Sequence, residues 1–108
     1  MNIVAVALAF NAMDLITGMV AAVKEKDLES SKLRDGLFKK AGFLFCYVLA
    51  ILIDNNGVYI GLNINVEILP IIVLYVVTTE IVSIIENICK LNSDLLPDKL
   101  LEMFHVKH

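Results

Sequence analysis

The chain has 108 residues, 58% of them hydrophobic, and a formal net charge of -3. Soluble domains average roughly 45–50% apolar residues, and here the apolar residues are gathered into long blocks, so a membrane protein is favoured over a small soluble core. No basic face with interleaved aromatics is present, so nucleic acid is not expected as a partner. Two cysteines, Cys46 and Cys89, make no disulfide framework and have no His or Cys neighbour at metal-ligand spacing.

The first apolar block runs from Ile3 to Val23 and contains one charge, Asp14, near its middle. As a helix it is long enough to cross a hydrocarbon core of ~30 Å. A carboxylate at that depth costs roughly 2.5–3.5 kcal/mol on insertion scales, and an ionisable residue inside a span is a functional hypothesis by default. The block follows no positively charged segment and exceeds the length of a signal-peptide core, so it reads as a retained span. At 100° per residue, Ala7, Asn11, Asp14, Gly18 and Ala21 share a narrow arc, with Thr17 beside it. Met13, Ile16, Met19, Val20 and Val23 lie opposite. Small residues let helix backbones approach, and Asn or Asp can hydrogen-bond across the contact. The arc is therefore read as an association face, a pore-lining face, or both. The alternative is packing inside one monomer, with Asp14 tied to a neighbouring hydroxyl.

Residues 24–37 form the first connection. Ser30 or Ser31 is placed to cap a helix feeding the second span, and Leu33 and Leu37 would face the membrane. The second span is expected over residues 38–53, with an extension to about residue 60 left open. Lys39 and Lys40 would snorkel to the headgroups. This block has no polar stripe, and Phe43, Phe45 and Tyr47 are expected to contact lipid or pack. Asp54-Asn55-Asn56-Gly57 is a turn signal.

The third span is expected over residues 68–88, with Pro70 in its first turn, where a missing N–H matters little. Its second half is amphipathic: Thr79, Glu80, Ser83, Glu86, Asn87 and Lys90 share one arc, and Leu74, Ile81, Ile85 and Ile88 lie opposite. In the tail, residues 90–108, Leu96, Leu100, Met103 and Phe104 recur at helical spacing, with Pro97 as first helical residue. That pattern predicts a short amphipathic helix on the inner membrane surface.

Charge in the connections sets orientation. Lys24, Lys26, Lys32, Arg34, Lys39 and Lys40 crowd residues 24–40, whereas residues 54–67 hold no Lys or Arg. The tail carries Lys90, Lys99 and Lys107. The positive-inside rule then places the first connection and the tail in the cytoplasm and the N-terminus outside. The expectation is a single all-α domain over residues 1–108, with three transmembrane helices and a short C-terminal helix. His105 and His108 lie in the tail without a nucleophile nearby, and no phosphate-binding glycine loop occurs. Neither an enzyme nor a cofactor site is expected.

With these residues in hand, the chain resembles the phage holin family that includes the clostridial toxin-secretion holins. The resemblance runs nearly end to end. It is carried by Asp14-Leu15-Ile16-Thr17-Gly18 and the alanines that precede Lys24. It continues through Ser31 to Gly36 and Lys39-Lys40, and through Asp54. The last part is Glu80-Ile81-Val82-Ser83-Ile84-Ile85-Glu86-Asn87, then Pro97. Thr79 stands where Asn is common, and Asn92 where Gly is common. The resemblance implies a protein of the bacterial cytoplasmic membrane that oligomerises into lesions. Through these an endolysin (a cell-wall hydrolase) or a large protein toxin would leave the cell. An antiholin is a further partner it brings in. From the helical arcs, the association or pore face is expected to comprise Asn11, Asp14, Thr17, Gly18, Ala21, Glu80, Ser83, Glu86 and Asn87. Those implied for topology and the loop are Lys24, Arg34, Gly36, Lys39, Lys40 and Asp54. Two alternatives stay open: a small ion channel or transporter component, and an antiholin-like regulatory partner.

Overall fold

Three long helices dominate the computed structural model, which describes residues 2–26 and 30–106. Helix α1 spans Ile3–Glu25, α2 spans Ser30–Asn56, α3 spans Ile68–Leu91, and a short α4 spans Asp98–Met103. No strand occurs among the described residues. The stretches Ile3–Glu25, Leu33–Ile60 and Ile68–Leu91 are each long and apolar enough to cross a membrane. The first connection lies partly outside the described residues, as do the side chains of Ser30 and Ser31.

Local chemistry sets the ends of these helices. Asn2 caps α1, its Oδ1 accepting from the Val4 N–H at 2.8 Å. Lys26 ends α1 in the left-handed region, φ 55°, and its N–H returns to the Val23 carbonyl. Beyond Asn56 the path tightens into a 3-10 turn, Gly57–Ile60, closed by Gly61 at φ 80°, a conformation that favours glycine. The N-terminus of α3 has no cap from its own flanking residue, Glu67. Asp54 of α2 supplies one: its carboxylate accepts from the Ile68 N–H at 2.7 Å and the Leu69 N–H at 2.9 Å. Two free donors at the positive end of a helix are thereby matched to an anion. The same contact fastens α2 to α3 at the end of the bundle next to the 57–67 connection.

Two clusters hold the helices together. Near that end, Ala7, Phe43, Tyr47, Val73 and Val76 are buried, with Val4, Leu69, Ile72 and Val77 against them. At the opposite end, Leu101 and Val106 pack on Ile85, with Ile81, Val82, Cys89, Leu96 and Phe104 around them. In lipid the hydrophobic effect does not draw helices together, so fit and hydrogen bonds carry the association. The outward faces remain apolar: Ile16, Val23, Phe45, Leu74 and Tyr75 are each more than 60% or at least 60% exposed. Surface of this kind suits lipid rather than water.

The tail differs in detail from its expected pattern. Pro97 is the cap rather than the first helical residue, and its carbonyl accepts from the N–H groups of Leu100 and Leu101. Leu101 is 2% exposed, whereas Met103 points away at 65%. His105 turns left-handed, φ 56°, and the Val106 N–H closes on the Leu101 carbonyl. The turn after this six-residue helix brings Val106 onto α3 beside Leu101, so the buried side chains of the tail are Leu101 and Val106, with Leu96 and Phe104 partly buried against them.

Replacing Asp54 by Ala should strip both bonds from the start of α3. We expect a loss of about 1–2 kcal/mol, the range for a helix cap, with Asp54→Asn retaining part of it. Thermal unfolding in detergent, followed by circular dichroism, reads this directly; an unchanged midpoint would mean that the cap contributes nothing to stability.

Candidate functional site

Helical spacing brings one polar group after another to the centre of the bundle. Asn11, Asp14 and Gly18 recur every three to four residues on α1, as do Glu80, Ser83 and Asn87 on α3. These two arcs face each other within a single chain. The Asn11 Nδ2 donates to the Glu80 Oε2 at 2.8 Å. Two turns further along α3, the Asn87 amide donates to the Asp14 Oδ1 and the Thr17 Oγ1, both at 3.1 Å. The Thr17 hydroxyl in turn donates to the Met13 carbonyl at 2.9 Å, which leaves its oxygen free to accept. Gly18 lies against Asn87, but a Cβ there would sit 3.5 Å from its Nδ2, an ordinary contact.

Helix α2 completes the cluster. The Lys40 Nζ lies 2.8 Å from the Asp14 Oδ2 and 3.3 Å from the Glu80 Oε2, so one ammonium group bridges two carboxylates on different helices. The Tyr47 hydroxyl donates to the Asn11 Oδ1 at 2.9 Å. The three charged side chains are largely withdrawn from solvent, 14% exposed for Lys40, 12% for Asp14 and 0% for Glu80. The Glu80 Oε1 is buried with no hydrogen-bond partner. At such depth a polar atom without a partner is costly, because no solvent replaces the missing bond.

Lys40 therefore corrects an expectation. Its ammonium does not snorkel to the headgroups but turns inward. Two carboxylates at its own level draw it in, and the attraction is strong where the dielectric is low. Its neighbour Lys39 does stay exposed, with Nζ 5.7 Å from the Phe43 ring centroid. Tyr47 also has a partner that the sequence reading did not give it. The signal was present: Lys40, Phe43, Tyr47 and Ala50 recur at helical spacing on one side of α2, and the last three are buried. A buried tyrosine hydroxyl ordinarily has a partner.

The remaining residues of interest lie toward the ends. The Lys24 Nζ donates to the carbonyls of Lys90 and Leu91, capping the negative end of α3. Ala21 is buried, Ser83 half-buried and Glu86 exposed; all three border a cavity of about 360 Å³ between the three long helices. Arg34 is exposed, and nothing lies within 4 Å of a Cβ built on Gly36. Asp54 belongs to the α3 cap rather than to the central cluster. Among the described residues no group of His, Cys, Asp or Glu could hold a metal ion.

A model of the bacteriophage holin family matches residues 1–107. The chain belongs to that family. No curated protein and no solved structure matches it. As a holin with three helices able to span, it is a multi-pass protein of the cytoplasmic membrane, in a family of non-enzymatic membrane proteins.

Removing Lys40 tests how far the holin monomer depends on the cluster. Lys40→Met should destabilise the fold by roughly 3–5 kcal/mol, because two buried carboxylates lose their counter-charge. Adding Glu80→Gln to Lys40→Met should restore part of that loss. Unfolding of the purified protein by a denaturing detergent, read as a double-mutant cycle, would show strictly additive effects if Lys40 and Glu80 were not coupled.

Proposed function

We propose that this holin gathers in the bacterial cytoplasmic membrane and opens lesions through which an endolysin or a large protein toxin leaves the cytoplasm. The observation that carries the reading is the hydrophilic cluster midway along three lipid-spanning helices of a holin. Asp14, Lys40 and Glu80 hold one another within a single copy. The arrangement tolerates lipid on the outside only while those partners stay together. In a ring of copies the same faces line water instead, where an ionised group is cheap to hold.

The balance between these two states depends on how many copies are present. Each copy exchanges internal hydrogen bonds for hydration, a small net change, while the outward apolar faces stay in lipid. Association driven by mass action makes such a change steep in protein concentration. The N-terminus lies outside in this reading, and the residues around 24–37 and the tail lie in the cytoplasm. Asn11, Asp14, Thr17, Gly18, Ala21, Glu80, Ser83, Glu86 and Asn87 then form the face that turns from packing to lining.

Expression of this chain together with a cytoplasmic wall hydrolase tests the release step. We expect abrupt lysis after a delay that shortens as expression rises. Loss of small ions with the hydrolase retained would identify a channel instead. Failure to lyse, combined with delayed lysis by a second holin, would identify an antiholin-like partner.

Asp14→Leu separates the lining role from simple packing. The variant keeps the Lys40–Glu80 pair but removes a group that gains from meeting water. It should insert normally and lyse late or not at all. Lysis on the original schedule would remove Asp14 from the mechanism.

A further inference from the structure

The cavity between the long helices is not symmetric about the charged cluster. Its floor is Asp14 and Lys40, and its far end is marked by Glu25 on α1 and Lys90 on α3, at the last turns of their helices. From Glu25 to Asp14 is about 16 Å along α1, roughly half the ~30 Å of a bilayer core. The walls are low: Gly18 and Ala22 on α1, and Gly36 on α2, where a Cβ would meet nothing within 4 Å. On the other side of the cluster, the Glu80–Asn11–Tyr47 hydrogen bonds run directly into the packed side chains of Ala7, Phe43, Val73 and Val76, all between 0% and 8% exposed. A smaller pocket of about 160 Å³ lies beyond that packed layer, between the end of α2 and the 57–67 connection.

We infer that the closed holin holds a one-sided aqueous vestibule, entered from the cytoplasm and ending at the Asp14–Lys40 pair, with the Ala7–Phe43–Val73–Val76 layer as its seal. Water is the chemistry this space suits. Charged and small side chains line it together with Leu15, Met19 and Leu33, and at about 360 Å³ it holds several molecules with the polar partners Asp14, Lys40, Ser83 and Asn87 at hand. Hydration from one side lowers the energy of keeping an ion pair in a lipid-spanning chain. The barrier to ions in the closed state is then the outer half of the bundle alone. The cytoplasmic assignment rests on the orientation given under the proposed function; the existence of the vestibule does not.

Single cysteines placed in a Cys46→Ala, Cys89→Ala background test both points before lysis is triggered. The probe is a small cationic, membrane-impermeant methanethiosulfonate, applied to intact spheroplasts and to inverted vesicles. Glu25→Cys and Val58→Cys report which end faces which side. Gly36→Cys, Ala22→Cys and Gly18→Cys should label from the side that labels Glu25→Cys. Ala7→Cys and Val76→Cys should react slower by on the order of ten-fold or more from either side, because packed thiols react only through opening. If Glu25→Cys labels from outside, the orientation fails while the vestibule stands, provided the three cavity positions follow it. If the cavity positions stay unlabelled from both sides, or if Ala7→Cys and Val76→Cys react as fast as Ala22→Cys, the vestibule is overturned. The last comparison survives a destabilised variant, because an unfolded chain would label at every position alike.

Discussion

One ammonium group between two carboxylates governs this molecule. Asp14 and Glu80 project from α1 and α3 at the same level, and each is costly to hold ionised in a lipid-spanning chain without an opposite charge. Lys40 supplies it from α2, so a single side chain ties all three long helices. The amides and hydroxyls of Asn11, Asn87, Thr17 and Tyr47 then satisfy most of the remaining lone pairs and donors. Packing elsewhere is modest, and large apolar side chains are left facing outward over most of the surface. The fold is organised around its least lipid-compatible residues.

Such an arrangement is unusual for a protein that need only reside in a membrane. Replacing a buried ion pair with well-packed apolar groups is often neutral or stabilising. A chain built only for stability would have Leu or Val at these positions. In the opened state proposed above, the charges would meet water. On that proposal, the groups that tie one copy together would be those that gain most from the helices parting.

Much of this was legible in the residues. Three apolar blocks and the polar arcs on α1 and α3 follow from spacing alone, but that Asn11 meets Glu80 and Asp14 meets Asn87 within one copy is a finding of the structure. The contribution of α2 was harder to read. Lys40 adjoins Lys39 at the start of an apolar block, where basic residues ordinarily mark the headgroups, and nothing within α2 announces the carboxylates it meets. Helical spacing tells which residues share a side, but not which neighbour that side will face. The Asp54 cap was hidden for the same reason: a turn signal is local, whereas the N–H groups it serves lie fourteen and fifteen residues further on. In the tail, one left-handed residue, His105, carries Val106 onto α3, and no periodicity encodes that turn.

The two end ties of α3 have a geometric consequence. Asp54 joins it to α2 at one end, and Lys24 joins it to α1 at the other. A rearrangement that preserved both would pivot rather than slide, with α1 swinging about its Lys24 end. The start of α2 follows α1 after only four residues, so it stays near that same tie, and the free travel falls to the N-terminal end of α1. In the proposed opening, the edge offered to a neighbouring copy would then be the half of α1 that carries Asn11 and Asp14.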